Sequence, residues 1–395
     1  MPWREVSVMK QRREFIELFR PEGVNRQELC RRFGISRTVA YKWLARFSVG
    51  DGDLADRSRR PHLSPGRSTA AIEAAVLAVR DAHPVWGARK IARCLQREGH
   101  DVPAASTVHA ILRRRGRILP PAGTPGQPYR RFEKEAPNLL WQMDFKGHLP
   151  LADGTSCHPL TMVDDHSRFA LCLAACRDEQ ATTVKTHLET TFRRYGLPEA
   201  MFVDNGGPWG FTLEEPWTKL GVWLLKLGVG VIHSRPYHPQ SRGKNERFHR
   251  TLKAEVFAFE RFRDLALVQR ALDRWRAIYN LDRPHEALDE ALGQEVPASR
   301  YRPSTRPMPD RLPQVDYDDN EIVRSVSSTK AYVSFKGRLW KVPQAFRGER
   351  LAIRPLTTDG RYGIFFAARQ IATIDLTNKQ TVSHVPEQVS TMSPG

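Results

Sequence analysis

Three carboxylates have the residue type and setting for metal-assisted chemistry on a phosphate. Asp144 lies in the apolar run Leu139-Leu-Trp-Gln-Met-Asp-Phe-Lys146, and Asp204 follows Ala200-Met-Phe-Val203. Glu246 stands in Ser234-Arg-Pro-Tyr-His-Pro-Gln-Ser-Arg-Gly-Lys-Asn-Glu-Arg-Phe-His-Arg-Thr-Leu-Lys253. An acid crowded by Arg235, Arg242, Lys244, Arg247, Arg250 and Lys253 is either half of a buried ion pair or a metal ligand beside a polyanion. Taken singly, an Asp at a strand end is an ordinary turn residue; Asp164 and Asp165 are read that way, with support of the metal-binding acids as the alternative for Asp165. Three carboxylates at one place repel unless divalent cations neutralise them. Oxygen-only ligands suit Mg²⁺ or Mn²⁺. Two such ions can activate an attacking oxygen and stabilise a leaving 3′ oxygen in an in-line phosphoryl displacement.

The elements that must bring these acids together are legible between residues 138 and 301. Strand-like runs at 139–146, 157–163 and 168–176 are followed by a helix at 181–195, a short strand at 200–203, a mostly helical 213–227 and a strand at 229–232. The basic helix runs from about 240 to 259, and another spans 265–279. Three hairpin-connected strands extended by helix-linked parallel strands predict a mixed sheet with helices on both faces. If the strands ending at Asp144 and Asp204 are neighbours, both acids emerge at one sheet edge, where open α/β sheets bind ligands.

The chain of 395 residues carries a formal charge of +18, which points to a polyanionic partner, most often nucleic acid. Residues 1–120 hold 24 Lys and Arg against 12 Asp and Glu. Residues 1–50 have helical period around Phe15, Phe19, Leu29, Val39 and Trp43, with a turn at Gly34, the helix-turn-helix pattern. The outward residues of its last helix include Arg37, Thr38, Tyr41 and Lys42, placed to meet phosphates and base edges. After a linker at 51–68, residues 69–117 repeat the pattern and end in Arg113-Arg114-Arg115, a phosphate-contact candidate. Proline and glycine mark a second linker at 118–137 and prolines a third at 302–320. Short strand-like runs over 321–380 predict a small β-barrel, and 381–395 is expected to be disordered. Five cysteines form no paired framework and no zinc site; they fit buried thiols in a reducing, cytoplasmic, nucleoid-associated protein. No apolar run approaches a membrane span.

Five phrases together resemble the integrase-core transposases of bacterial insertion sequences: Trp141-Gln-Met-Asp144, Val163-Asp-Asp-His-Ser-Arg168, Asp204-Asn-Gly, His233 to Lys253, and Tyr279-Asn with Arg283-Pro-His-Glu-Ala-Leu288. The resemblance covers about 138–301 and implies an RNase H-like core with a D-D-E triad binding two Mg²⁺ (or Mn²⁺). The matching positions are Asp144, Asp204 and Glu246. It implies binding of the element's terminal inverted repeats, cleavage at the ends, strand transfer into target DNA and a homo-oligomer of at least two subunits. Lys244, Arg247, Arg250 and Lys253 would then hold the DNA end. The forty-one residues between Asp204 and Glu246 exceed the family's usual interval, so Glu255 stands as an alternative third ligand. A DNA-binding regulator with an inactive core, and a nuclease of the same fold that cuts without joining, are the rival expectations.

Overall fold

The computed structural model describes residues 7–49, 54–56, 67–118, 133–210, 215, 217–233, 243–288, 295–383 and 387–388. The chain divides into two compact units, Met1–Arg67 and Ser68–Gly395.

In the first unit, α1 (Val8–Phe19), α2 (Arg26–Arg32) and α3 (Arg37–Val49) enclose Phe15, Ile16, Phe19, Leu29, Cys30, Ala40 and Trp43. Side-chain oxygens of Ser7, Asn25 and Ser36 accept the first free N–H groups of the three helices. Gly34 makes the α2–α3 turn at φ +63, a conformation open to glycine at little cost. Val39, expected inside, is exposed. Leu54, assigned by sequence to a linker, is buried in this core, and Arg12 holds its carbonyl at 2.8 Å.

The second unit opens with α4 (Ala70–Ala82), α5 (Ala88–Arg97) and α6 (Ala105–Arg114), packed around Val76, Trp86, Ile91, Leu95, Val108 and Ile111. The core follows: β1 (Trp141–Phe145), β2 (Leu149–Pro150), β3 (Ser156–Asp164), β4 (Ala170–Cys176), α7 (Ala181–Tyr195), β5 (Ala200–Val203), α8 (Lys219–Lys226), β6 (Gly230–His233), α9 (Gly243–Leu252) and α10 (Leu265–Leu281). A turn of π-helix, Lys253–Phe257, separates α9 from α10. Strand order is β4-β3-β1-β5-β6, antiparallel through the hairpins and parallel from β1 onward, the mixed sheet expected. One face packs Trp141, Met143, Leu160 and Met162 against α7 and α8; the other packs Val163 and Leu173 against Phe248, Leu252, Trp275 and Tyr279 of α9 and α10. α10 also caps the backbone of edge strand β4: Asn280 bonds both polar groups of Ala170, Gln269 those of Ala175 and Leu173, and Arg276 that of Leu171. The second helix-turn-helix unit rests on the end of α10, where Ile278 joins its core and Arg97 bonds the Leu281 and Asp282 carbonyls.

The short helix α11 (Pro297–Arg300) leads into residues 302–320, which are no free tether. Ser304 and Arg306 strap the turn after α7 to the turn after α8: Arg306 donates to the carbonyls of Pro198, Leu227 and Gly228. Beyond it, β7 (Ile322–Ser325), β8 (Tyr332–Phe335), β9 (Arg338–Lys341), β10 (Arg350–Pro355), β11 (Arg361–Phe366), β12 (Arg369–Asp375) and β13 (Gln380–Ser383) form a five-stranded antiparallel sheet, β13-β12-β11-β10-β7, beside the separate hairpin β8–β9. Among the described residues no pairing closes this sheet into the predicted barrel. Its core incorporates Trp217 and Val222, and Lys226 pairs with Glu349 at 2.7 Å. The module is therefore built onto the α8 region of the core. Residues expected to be disordered include strand β13 and the two-residue β14 (Glu387–Gln388), which pairs with β6. Residues 384–386 and 389–395 lie outside the described residues, as do most of the linkers assigned to 51–68 and 118–137.

Candidate active site

Strand periodicity decides where the first two acids point. Along β1, Trp141 and Met143 enter the α7–α8 core, so Gln142 and Asp144 face the opposite side, which α9 crosses. On β5, Met201 and Val203 enter the same core, so Phe202 and then Asp204 share the face of Asp144. The parallel register pairs Trp141 with Met201 and Gln142 with Phe202. The pairing ends there, and Asp144 and Asp204 each stand two residues further along the two neighbouring chains. Each acid is partly exposed, at the carboxyl end of its strand.

Helix α9 reaches this edge through His249. Its Nε2 lies 2.9 Å from Thr161 Oγ1, and its Nδ1 3.9 Å from Asp144 Oδ2. Thr161 spends its hydroxyl proton on the Asp144 carbonyl at 2.9 Å. It must therefore accept from His249, which fixes the Nε2–H tautomer and turns the bare Nδ1 toward Asp144. Burial, with Lys146 nearby, pushes the His249 pKa down to about 4, so the imidazole is neutral at pH 7 and the Asp144 contact is no ion pair. Glu246 precedes His249 by three residues, one turn of α9, and is exposed. The alternative ligand Glu255 is committed elsewhere: it accepts from Trp275 Nε1 at 2.9 Å and Arg283 Nε at 3.1 Å, with its side chain 10% exposed. At the other acid, His233 Nδ1 contacts the Asp204 carbonyl at 3.0 Å, and burial holds its pKa below the ordinary value.

Among the described residues, no group of three or more His, Cys, Asp or Glu is gathered closely enough to hold a metal ion. Asp144 and Asp204 share a sheet face on neighbouring chains and Glu246 stands on the helix packed over that face, without the three closing into a cage. Carboxylates gathered at short range repel unless a cation neutralises them. The donor set is carboxylate oxygen throughout, which fits a hard divalent cation.

The predicted DNA-contact residues divide in two. Arg37, Thr38, Tyr41 and Lys42 all lie on the exposed side of α3, where Arg26 and Arg37, hydrogen-bonded to Tyr41, hold its phenol below the ordinary pKa. Arg113, Arg247, Arg250 and Lys253 are exposed. Lys244, Arg114 and Arg115 differ from expectation. Lys244 Nζ sits 2.5 Å from Asp165, whose side chain is fully buried, and desolvation lowers the Lys244 pKa to about 8. Arg114 and Arg115 pair with Glu73 at 2.5 and 2.9 Å, its side chain only 3% exposed. These cations neutralise buried acids of their own fold. Arg235 and Arg242 lie outside the described residues. The sequence marks His249 with no role, and offers Asp165 as a turn residue or a support behind the acids without naming its partners. The i, i+3 spacing of His249 after Glu246 was the available signal for the first. Nothing local marked those partners.

Comparisons with known proteins agree with this architecture. Models described as integrase core domain match residues 134–239 and 227–291, and one described as the IS481 family transposase C-terminal domain matches 321–382. A helix-turn-helix domain model matches 11–62 and a homeodomain-like model 39–112. The insertion element IS407 31.7 kDa protein of Burkholderia multivorans is 28% identical over 167 residues, 42% of this chain and 57% of its own length. The insertion element IS476 39.2 kDa protein of Xanthomonas euvesicatoria is 26% identical over 162 residues, 41% of this chain and 45% of its own. The Gag-Pol polyprotein of Koala retrovirus is 29% identical over 129 residues, 32% of this chain and 7% of its own. The chain thus spans about half the length of the insertion-element relatives it matches.

Proposed function

We propose, for a chain that belongs to the integrase-core transposases of bacterial insertion sequences, that Asp144, Asp204 and Glu246 form its catalytic triad and that it cuts and joins DNA ends. The observation that supports the proposal is the parallel pairing of β1 with β5, whose side-chain alternation turns Asp144 and Asp204 to one sheet face, together with the approach of α9 to Asp144 through His249. Asp144, Asp204 and Glu246 would hold two Mg²⁺ or Mn²⁺ ions. Bound there, the ions supply Lewis-acid neutralisation of charge on the reacting phosphate.

The chain's own residues supply position. Asp144 takes no proton from His249 Nδ1 in the Nε2–H tautomer, so that contact leaves its carboxylate an acceptor. Arg247, Arg250 and Lys253, exposed on and after α9, would lie along the phosphates of the bound end. In the first reaction water attacks the phosphodiester at the element's end, a P–O bond forms and the bond to the 3′ oxygen breaks. The freed 3′-hydroxyl then attacks a target phosphodiester, whose own 3′ oxygen leaves. No covalent enzyme intermediate is involved. The helix-turn-helix units would bind the terminal inverted repeats, and joining two ends calls for at least a dimer on DNA.

The test uses the purified chain with linear duplexes carrying the element's two ends and a supercoiled target plasmid. Cutting and joining with Mg²⁺ or Mn²⁺ supports the reading. Cutting alone favours a nuclease, and binding alone favours a regulator; either outcome rejects it.

A further inference from the structure

Asp165 stands between the two elements that carry Asp144 and Glu246. Its Oδ1 accepts from Gln142 Nε2 at 2.5 Å and from Lys244 Nζ at 2.5 Å, and its Oδ2 accepts the Lys134 backbone N–H at 2.8 Å. Its own backbone N–H donates to the Leu140 carbonyl at 2.9 Å, at the start of β1. The carboxylate is fully buried. Gln142 precedes Asp144 by two residues on β1, so the two share a face of the sheet. Lys244 precedes Glu246 by two residues in the first turn of α9.

The amide of Gln142 indicates how strongly this arrangement is enforced. Its Oε1 is buried and has no hydrogen-bond partner among the described residues. Turning the amide over would bring that oxygen against Asp165 Oδ1, acceptor against acceptor. The orphaned acceptor is the cost of keeping Nε2 on Asp165.

We infer that Asp165 is a positioning residue that fixes the first turn of α9 against β1, through Lys244 on the helix and Gln142 on the strand, and so sets the separation of Glu246 from Asp144. The inference rests on the triad assigned above. It also gives Lys244 a role other than gripping DNA: an ammonium held on a fully buried carboxylate reaches a phosphate only by giving up that contact, which leaves Arg168 Nη1, 4.0 Å from Asp165 Oδ1, as the remaining cation. Asp165 lies 79 residues from Lys244 and 23 from Gln142, so neither link shows in local sequence.

Lys244→Gln, Asp165→Asn and the double variant, each in the full chain, are compared for melting temperature, affinity for the DNA end with its salt dependence, Mn²⁺ affinity by electron paramagnetic resonance, and cleavage rate at saturating DNA. Each single variant is expected to lose roughly 10–100-fold in Mn²⁺ affinity and cleavage rate, the range for residues that orient metal ligands. DNA affinity and its salt slope stay as in wild type. The double variant falls no further than the worse single, because both act through one contact. Wild-type Mn²⁺ affinity in Lys244→Gln, together with a salt slope lower by about one, would make Lys244 a phosphate contact and overturn the inference. Fully multiplicative losses would overturn it too. Should Asp165→Asn fail to fold, Lys244→Gln alone decides. A wild-type chain that binds DNA ends yet neither binds Mn²⁺ nor cleaves them defeats the proposed function instead.

Discussion

Replacing Gly196 with alanine probes how the strap at Ser304–Arg306 holds the start of β5, the strand that leads into Asp204. Gly196 adopts φ +80 and ψ -177, a region essentially restricted to glycine. A Cβ there would lie 2.8 Å from the Arg306 carbonyl oxygen, the Ser304 carbonyl oxygen and Ser304 Cβ. Two of these are backbone atoms that no rotamer change removes. Backbone strain alone costs roughly 1–3 kcal/mol. Moving the strap also breaks or stretches Leu197 N–H to the Arg306 carbonyl (2.7 Å) and Ser304 N–H to the Tyr195 carbonyl (2.8 Å). Each such bond is worth roughly 1 kcal/mol net, so the whole effect is about 3–5 kcal/mol. Gly154 supplies the control: its φ is +83, but nothing lies within 4 Å of an added Cβ. Gly154→Ala should cost only about 1–2 kcal/mol. Urea unfolding followed by tryptophan fluorescence, which reports buried Trp141 and Trp223, measures both. Equal midpoints for the two variants would refute the reasoning, because the strap would then contribute nothing beyond local strain.

The remaining predictions concern charge. Arg113→Ala should weaken DNA binding uniformly across sequences and lower the salt slope by about one, whereas Glu73→Gln should lower the melting temperature by uncoupling Arg114 and Arg115. Because those arginines are partly exposed, the Glu73 loss is limited to about 1–3 kcal/mol. The His285 pKa is pushed down to about 3 by burial and then by Arg283, so the folded state keeps the ring neutral while the unfolded chain protonates it near pH 6.5. Its contribution is complete above pH 6.5 and is lost as pH falls toward 3. At pH 5 the loss is about 2 kcal/mol, which His285→Asn should remove from a comparison of urea midpoints at pH 7.5 and pH 5.

The setting of Asp144 and Asp204 was legible where its logic is local. An apolar strand ending in an acid, repeated with helices between, gives Asp144 and Asp204 by period two and the adjacency of parallel strands. The long interval before Glu246 also has a structural use: Trp217 and Val222 within it pack into the core of the C-terminal sheet. What sequence did not disclose depends on distant partners. Lys244, Arg114 and Arg115 look like DNA contacts in the sequence because the buried acids they pair with, Asp165 and Glu73, stand 79, 41 and 42 residues away. The segment at 302–320 looks like a tether because its function is carried by backbone carbonyls of other turns, which leave no compositional trace. The open C-terminal sheet in place of a barrel has a related cause. Strand-like runs indicate how many strands form, but their order and closure depend on what the sheet packs against, here α8.

Crystals of the chain bound to its DNA end and soaked in Mn²⁺ test the central claim most directly, through anomalous scattering. Peaks are expected with carboxylate oxygens of Asp144, Asp204 and Glu246 as ligands, at about 2.0–2.2 Å by analogy with other small divalent cations. Peaks on Glu255, or none near Asp144 and Asp204, would contradict that claim.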